Sequence, residues 1–180
     1  MERNPWKTKK INPIYENPWI KVEHHEIINP AGNDGIYGKV HFKNRAMGII
    51  PIDENGNTWL IGQYRYTLDE YAWEIPMGGG PLSESKLESA KRELKEETGL
   101  LAEKWTEIMK IHTSNSVTDE VGFVYLAEEL TQGDTDFEET EILKIKKLPF
   151  DEVLEMVMNG EITDAISIAG ILKAARILNL

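Results

Sequence analysis

The chain is predicted to adopt an α+β fold in which a mixed β-sheet lies between helices. Three observations predict this class. Short strand-like runs fill the first third of the 180 residues, a single helical segment follows a glycine-rich stretch near the middle, and two helical segments close the chain after further strands. The hydrophobic content of 41% is sufficient to bury a core at this length, so we expect one domain with an appended element.

The N-terminal strands are predicted to form a hairpin. Residues 19–28 alternate between apolar and polar side chains, residues 29–35 contain Pro, Asn, Asp and two Gly, and residues 37–42 provide the return strand. We therefore divide the chain into an N-terminal antiparallel β extension at residues 1–43 and a main domain at residues 44–180.

The main domain is predicted to open with a second hairpin. The apolar run at 46–52 is followed by the turn sequence Asp-Glu-Asn-Gly-Asn at 53–57 and by a strand at 58–66, which we expect to pair with the first. Two later apolar runs, at 121–126 and 142–148, are further predicted strands.

Two helices are predicted to end the chain. The first spans 151–159 and is followed by Gly160, a residue that commonly terminates helices. The second begins after Asp164, whose side chain suits the N-cap position. Its apolar positions recur with helical spacing, which indicates burial of one face: Ile166, Ile168, Ile171, Leu172 and Ile177.

Charge and composition restrict the classes of function. With 20 basic and 31 acidic residues, the formal net charge is −11, which disfavours a nucleic-acid or anionic membrane surface. The absence of cysteine excludes disulfides, thiolate metal sites and a cysteine nucleophile. The polar N-terminus carries no signal-peptide pattern, and no run approaches the roughly 18 apolar residues of a spanning helix. We expect a cytoplasmic protein.

The central helix is predicted to begin at Ser85, because Ser85 and Glu88 form a capping-box pattern. Gly99 stands where a glycine commonly follows the last helical residue. At 100° per residue, three apolar side chains fall on one stripe that can face the sheet: Leu87, Ala90 and Leu94.

An acidic cluster occupies another face of this helix. Glu96 and Glu97 lie three and four positions after Glu93, so each repels Glu93 by roughly 0.2–0.5 kcal/mol. Carboxylates in the last turn also oppose the helix dipole, by roughly 0.3–1 kcal/mol each. A divalent cation removes both penalties, and ligation by oxygen alone indicates Mg²⁺, with Mn²⁺ as a substitute. The alternative, a solvated acidic face, is disfavoured by the preceding glycines, which allow close backbone approach.

The segment from Gly78 to Leu100 resembles the Nudix box, written Gly-x5-Glu-x7-Arg-Glu-(aliphatic)-x-Glu-Glu-x-Gly-(aliphatic). Gly78, Glu84 and Arg92 have the required spacing, and the remaining fixed positions follow Arg92 in order, so nine positions match across 23 residues. The resemblance, to Nudix hydrolases of ADP-ribose and related nucleoside diphosphate sugars, extends over residues 19–180. It implies a Nudix-type α/β/α sandwich with a mixed sheet.

The resemblance also implies a role for each matching residue. The carboxylates of Glu93, Glu96 and Glu97 would hold the metal, with Glu84 as a further ligand. The carbonyl of Met77, the residue before the motif glycine, would be another. Arg92 would orient the glutamates through charge-assisted hydrogen bonds.

In this branch of the family the general base comes from a loop after the box. Bound metal ions would neutralise the pyrophosphate, lower the pKa of a water molecule and hold that water in line with the phosphorus, and the base would accept its proton. The acidic run at 134–141 is the candidate loop. Alignment from Leu148 favours Glu141 and then Glu139. The alternative is that this run is only a solvated loop.

Three further residues resemble substrate contacts of the branch, and Trp19, like Trp6 and Tyr15, is a candidate for stacking because it is aromatic. Arg65, in Gln-Tyr-Arg, would bind a substrate phosphate, for which a planar guanidinium is suited. Glu74, in Trp-Glu-Ile-Pro, would hold a ribose hydroxyl, and Glu120 would contact the sugar side. Trp19 would stack on the base, although a core or dimer contact is the alternative.

One departure concerns the sugar. Typical ADP-ribose enzymes carry a proline 16 residues after the last motif glycine, and Asn115 stands at that position here. This difference favours a broader or different nucleoside diphosphate sugar, of the ADP-ribose or GDP-mannose type, cleaved to a nucleoside monophosphate and a sugar phosphate.

Alternatives to this function and assembly remain. Another Nudix substrate, such as a nucleoside triphosphate or a dinucleoside polyphosphate, would use the same metal chemistry. A non-catalytic nucleotide sensor would keep only the fold, but such modules typically lose a box glutamate, and none is lost here. The resemblance further implies a homodimer, in which residues 19–42 complete the partner's pocket or pair within their own chain.

Overall fold

The computed structural model describes residues 3–133 and 143–179. In these two ranges no helix is both long and apolar enough to cross a membrane. The elements, in chain order, are β1 (Lys7–Glu16), β2 (Ile20–Ile28), β3 (Asp34–Phe42), β4 (Asn44–Pro51), β5 (Asn57–Arg65), β6 (Glu70–Glu74), β7 (Met77–Pro81), α1 (Lys86–Thr98), β8 (Leu100–Ile111), β9 (Gly122–Gln132), β10 (Lys144–Pro149), α2 (Phe150–Met158) and α3 (Ala165–Leu178).

The chain divides into two compact units. The first consists of Met1–Asn44 and His112–Glu120, and the second of Arg45–Ile111 and Val121–Leu180. The first unit contains an antiparallel sheet in the order β1-β2-β3, in which the predicted hairpin of residues 19–42 is confirmed as β2 and β3. Asn29 forms its turn, since the side-chain Oδ1 accepts the N–H groups of Ala31 and Asn33 at 3.0 Å.

The second unit contains the predicted mixed sheet. Its order is β7-β4-β9-β8, where β4 pairs in parallel with β9 and β8 pairs antiparallel with β9. A second, three-stranded sheet has the order β10-β5-β6 and is antiparallel at both pairings. The α+β class with a mixed sheet and an antiparallel N-terminal extension is therefore confirmed.

The predicted hairpin between residues 46–52 and 58–66 is wrong in its pairing. Both segments are strands and the turn is present, because Asp53 Oδ1 accepts the N–H groups of Asn55 and Asn57 at 2.9 and 2.8 Å. However, β4 and β5 belong to different sheets. The residues from Met47 to Ile50 are all buried, so both faces of β4 are covered and it lies inside the mixed sheet. The turn carries the chain from one sheet to the other.

Helices cover the two faces of the mixed sheet. On one face, α1 packs Ala90 and Leu94 against Met47 and Ile49 of β4. On the other face, the α3 residue Gly170 lies close enough to the sheet that an added Cβ would be 3.2 Å from Val124 and 3.3 Å from Ile50. The main core also contains buried residues of α2, among them Phe150 and Val153. This arrangement is the predicted α/β/α sandwich.

The ends of the predicted helices agree with the structure. The Oγ of Ser85 accepts the N–H of Glu88, and Gly99 has φ of +71° at the end of α1. The Asp164 side chain accepts the N–H of Ser167 and begins α3. Because α1 is fixed at both ends, the face that carries its three glutamates has a defined direction.

Candidate active site

The site is built on α1 and on β7, the glycine-rich strand that precedes it. Ala90 and Leu94 are fully buried and fix the rotation of α1 about its axis. With that stripe directed at the sheet, Glu93 and Glu97 are largely covered, with exposed fractions of 8% and 4%. Burying two carboxylates on one helix costs free energy unless nearby positive charges or hydrogen-bond donors compensate. The groups that surround these two carboxylates are therefore relevant to function.

Gly78 allows the carboxylate of Glu93 to lie directly against β7. A Cβ added to Gly78 would be 2.0 Å from Oε2 of Glu93, far inside van der Waals contact. Any side chain at this position would displace the carboxylate. Gly78 is thus required by the close approach of a side chain to the backbone, and not by its backbone conformation.

Arg92 links the acidic side chains to the glycine strand. Its Nη1 lies 2.8 Å from both Glu93 Oε1 and Glu96 Oε2, while its Nη2 donates to the Gly79 carbonyl at 3.0 Å. Glu84 Oε2 is 3.6 Å from the same Nη2. Burial disfavours the charged guanidinium, but Glu93 and Glu96 outweigh that effect and raise the pKa of Arg92. One cation therefore offsets part of the charge of three carboxylates.

Two further contacts hold the ends of the acidic cluster. The backbone N–H of Met77 donates to Glu97 Oε2 at 2.8 Å. Ser89, which is fully buried, donates from its Oγ to Glu84 Oε2 at 2.6 Å. Both bonds join α1 to the segment from Met77 to Glu84, so the carboxylates and the strand form one connected structure.

Arg65 and Glu74 form a second ion pair, between β5 and β6. Arg65 Nε donates to Glu74 Oε1 at 2.9 Å, and Nη2 donates to Oε2, so both carboxylate oxygens are used. Glu74 is 4% exposed. Its hydrogen bonds raise the pKa of Arg65, burial opposes them, and the charges of Asp164 and Glu97 add to the rise. The guanidinium therefore lies within electrostatic reach of the acidic cluster.

Comparison with known proteins identifies this arrangement. A family model described as the NUDIX domain matches residues 42–166, more than half of the chain. The chain belongs to the Nudix family. A second model, the nucleoside diphosphate sugar hydrolase N-terminal domain, matches residues 6–40.

Individual members of the family are also similar to this chain. An ADP-ribose pyrophosphatase of Mycobacterium tuberculosis is 35% identical over 131 residues, covering 71% of this chain and 63% of the relative. The ADP-ribose pyrophosphatase of Bacillus subtilis is 32% identical over 122 residues, covering 67% and 66%. The chain therefore spans just under two thirds of the length of these relatives.

A solved structure supports the fold. The crystal structure of an ADP compounds hydrolase superimposes with a TM-score of 0.87, covering 97% of this chain and 94% of that chain, at 20% identity. At this identity the similarity concerns the fold alone.

Members of the Nudix family generally use divalent metals, and the residues of this site fit such an ion in their chemistry. The donors are carboxylate oxygens on one face of α1, beside a strand whose Gly78 leaves room for them. The orientation of these carboxylates in the structure has to be considered separately from their chemistry. Across residues 3–133 and 143–179, no three acidic or histidine side chains are placed together as a metal site. Glu93 and Glu96 are instead directed to Arg92, and Glu97 to the Met77 N–H.

Four predicted site residues lie outside β5, β6 and the segment from Met77 to Thr98. Trp19 and Glu120 belong to the first unit, where Trp19 is 64% exposed and Glu120 accepts a hydrogen bond from Thr113 Oγ1. Glu139 and Glu141, the two candidates for the general base, lie outside the described residues. Their roles stay predictions.

Sequence analysis did not single out Ser89 in this site or Asp119 in the first unit. Ser89 donates to Glu84 from within α1, but a serine on the buried side of a helix resembles any small core residue. The Asp119 carboxylate joins residues 112–120 to His41 and to the Phe42 N–H of β3, and no local pattern indicates contacts between residues so far apart in the chain.

Proposed function

We propose that this Nudix hydrolase uses Mg²⁺ to hydrolyse the pyrophosphate bond of a nucleoside diphosphate sugar, giving a nucleoside monophosphate and a sugar phosphate. The match of residues 6–40 to the nucleoside diphosphate sugar hydrolase N-terminal domain is the observation that carries the substrate class. The complete box on α1 supports the chemistry, since Arg92, Glu93, Glu96 and Glu97 are all present.

The metal would be held by the carboxylates of Glu93, Glu96 and Glu97, with Glu84 and the Met77 carbonyl as further oxygen donors. Oxygen donors of this kind suit Mg²⁺, and Mn²⁺ is the expected substitute. When bound, the ion supplies neutralising charge at the pyrophosphate and increases the acidity of water.

Arg92 prepares the glutamates. By holding Glu93 and Glu96 at 2.8 Å, it limits their rotamers and reduces the repulsion between them. Its bond to the Gly79 carbonyl fixes the guanidinium relative to β7. In this proposal Arg92 acts on the carboxylates and does not contact the substrate.

Arg65 binds substrate phosphate in this proposal. Its pairing with Glu74 uses Nε and Nη2, so the two N–H groups of Nη1 are not used by that pair. A guanidinium fixed on one edge presents the other edge in one direction, which suits a phosphate oxygen. Each carboxylate oxygen can accept a second hydrogen bond, so Glu74 can hold Arg65 and accept from a ribose hydroxyl in this proposal.

The other substrate contacts complete the proposal. Trp19 is exposed enough to stack on a base, and Glu120 is the acidic residue for the sugar side. Glu141, followed by Glu139, is the proposed general base. Asn115 replaces the proline of typical ADP-ribose enzymes, so we propose a range that includes ADP-ribose and GDP-mannose and not ADP-ribose alone.

We also propose that the protein is a homodimer formed through its N-terminal sheet. The first unit exposes large apolar side chains that a monomer would leave in water, among them Ile11, Ile14 and Ile36 at 49–71% exposure. Light scattering after size-exclusion chromatography should give twice the chain mass of 20.5 kDa. A mass equal to one chain at micromolar concentration would contradict the dimer.

A substrate panel tests the function. ADP-ribose, GDP-mannose, ADP-glucose, UDP-glucose, a diadenosine polyphosphate and a nucleoside triphosphate would be compared by kcat/KM, each with Mg²⁺ and with EDTA. We expect metal-dependent release of a nucleoside monophosphate from the sugars at the highest kcat/KM. Turnover of the other nucleotides alone would move the protein to another Nudix substrate class. Nucleotide binding without any turnover would indicate a sensor.

A further inference from the structure

The loop between β8 and β9 is built into the N-terminal sheet. Residues 112–120 belong to the first unit together with β3. Val40 donates its N–H to the Val117 carbonyl at 2.9 Å, and Asp119 donates its own to the Val40 carbonyl at 3.2 Å. Val40 and Thr118 form a parallel bridge. The loop thus adds a short strand segment to the β3 edge.

Side chains add to this attachment. The Tyr37 hydroxyl donates to the Ser116 carbonyl at 2.6 Å. The carboxylate of Asp119 accepts from the Phe42 N–H at 3.0 Å through Oδ1, and Oδ2 lies 2.7 Å from Lys39 Nζ and 2.6 Å from His41 Nδ1. Asp119 thus contacts three residues of β3 with one side chain.

The surroundings of Asp119 stabilise the negative charge of its carboxylate. Burial alone would raise the pKa of this carboxyl, but hydrogen bonds from His41 and Lys39 outweigh burial and lower the pKa to about 2. Asp119 is therefore ionised at neutral pH. Hydrogen bonds to a charged group are generally stronger than neutral ones, so the ionised carboxylate strengthens the attachment of the loop to β3.

Glu120, the residue that follows, is held within the same loop. Its carboxylate accepts from Thr113 Oγ1, and its carbonyl lies 3.1 Å from His112 Nδ1. The loop is thus closed by Glu120 and attached to β3 by the preceding residue. Movement of the backbone at Asp119 would displace Glu120 directly.

We propose that Asp119 is a positioning residue for substrate specificity, which attaches the 112–120 loop to β3 so that Glu120 presents its carboxylate to the sugar hydroxyls of the substrate. The inference rests on the proposed function. It adds a residue that determines sugar recognition without touching the substrate.

Hydrogen exchange measured by mass spectrometry tests the attachment in the substrate-free protein. Asp119→Ala should increase exchange in peptides that cover residues 112–120, by about tenfold in rate. Asp34→Asn is the matched control, because Asp34 pairs with Lys9 at 2.8 Å in the same unit but its side chain is 77% exposed. Unchanged exchange in Asp119→Ala would overturn the attachment.

Steady-state kinetics test the positioning role. With nucleoside diphosphate sugars, Asp119→Ala should raise KM about tenfold and change kcat by less than about threefold, since binding and not chemistry is affected. The ranking of different sugars should flatten. Glu120→Gln should have the same effect, and the double variant should be no worse than Glu120→Gln alone, because both act through one contact.

A conservative variant separates positioning from a loss of folding. Asp119→Asn keeps the size and the acceptor for the Phe42 N–H but removes the charge, so it should give a smaller rise in KM in the same direction. Faster exchange with an unchanged KM and sugar ranking in both variants would overturn the positioning role and leave the proposed function standing. If the wild type hydrolyses no nucleoside diphosphate sugar, the proposed function and the positioning role both fail, whereas the exchange result still reports the attachment.

Discussion

Arg92 and the glutamates around it illustrate how individual residues make this site. Glu96 and Glu97 would each repel Glu93 by roughly 0.2–0.5 kcal/mol on an isolated helix. Arg92 lies 2.8 Å from two of them and reduces that repulsion. The same bonds restrict the carboxylates, so in the proposed function the arginine that stabilises α1 would also orient the donors for a cation.

Substitution of Glu97 tests the role of a single carboxylate of the box. Glu97→Gln keeps the size of the side chain and an acceptor for the Met77 N–H, now 2.8 Å from Oε2, but removes the charge. We expect kcat/KM to fall at least about 100-fold, which corresponds to about 2.7 kcal/mol of lost stabilisation, with the melting temperature nearly unchanged.

Glu88→Gln is the control for that change. It makes the same substitution on the same helix, at a side chain that is 60% exposed and outside the cluster. Its activity should equal that of the wild type. Full activity in Glu97→Gln would show that the carboxylate has no part in the reaction.

At the residue scale, the sequence predicts box positions well and pairings poorly. The spacing from Gly78 to Gly99 places the three glutamates on one helix face because α-helix geometry is regular. The Arg65–Glu74 pair depends on the β5–β6 register, in which Arg65 lies opposite Glu70 and Glu74 opposite Ile61. No local pattern fixes that register in advance.

Among the contacts between secondary-structure elements, the close packing of β7 against α1 matters most for the candidate site. The two elements are joined by the approach of Glu93 to Gly78, by Arg92 to the Gly79 carbonyl and by Met77 to Glu97. A strand that presents no side chain at this point lets a helical carboxylate reach the backbone. The glycines of β7 therefore determine how closely the acidic face of α1 approaches the strand.

Gly78→Ala tests that arrangement. The added methyl would be 2.0 Å from Glu93 Oε2, and the flexible carboxylate can move away at little cost in stability. We expect kcat/KM at limiting Mg²⁺ to fall at least about tenfold, while the melting temperature falls by less than about 5 °C. Activity would be measured as a function of Mg²⁺ concentration.

Gly38→Ala provides the comparison for that experiment. Gly38 also lies in a strand, and an added Cβ meets no atom within 4 Å. Its Mg²⁺ dependence should match that of the wild type. An unchanged Mg²⁺ dependence in Gly78→Ala would contradict the link between this glycine and the carboxylates proposed to hold the metal.

The elements differ in how far the sequence predicts them. Capping and apolar spacing are local, so α1, α2 and α3 were predicted with ends within a residue or two. β1 was missed because Lys7–Glu16 is polar and contains Pro13, which an edge strand tolerates. The pairing of β4 was wrong because an apolar run next to a turn resembles a hairpin whether or not its partner strand follows it in sequence.

Ionic contacts also join distant parts of the second unit. Asp53, in the turn after β4, lies 2.7 Å from Lys147 of β10 and accepts two backbone hydrogen bonds from the turn. Burial alone would raise the pKa of Asp53, but Lys147 and the turn bonds outweigh burial and lower it. The contact holds together the turn that connects the two sheets.

The contact between Asp53 and Lys147 predicts how the free energy of unfolding depends on pH. Because the pKa of Asp53 is lower in the folded than in the unfolded state, its contribution is present above about pH 4 and is lost as pH falls further. Asp53→Asn should lower the free energy of unfolding by about 1–2 kcal/mol at pH 7. Urea titrations from pH 7 to 3 should show this difference shrinking below about pH 4, and a constant difference would contradict the ionic origin.

At the scale of the whole molecule, the sequence predicts the class of the fold and of the chemistry but not the choice of sugar. In the proposed function, the complete Nudix box between Gly78 and Leu100 carries the chemistry, and the match of residues 6–40 supports the substrate class. The proposed choice of sugar would depend on the loop at 112–120, whose attachment to β3 joins residues about eighty positions apart. Such contacts form only when the chain has folded.

Hydrolysis of the best substrate of the panel in ¹⁸O-labelled water tests whether the protein cleaves a pyrophosphate bond with the help of a metal ion. With Mg²⁺, we expect a nucleoside monophosphate and a sugar phosphate in equal amounts, with one ¹⁸O atom in one of the two phosphates, and no products with EDTA. Release of free sugar and a nucleoside diphosphate, or product formation that EDTA does not reduce, would contradict metal-dependent cleavage of the pyrophosphate bond.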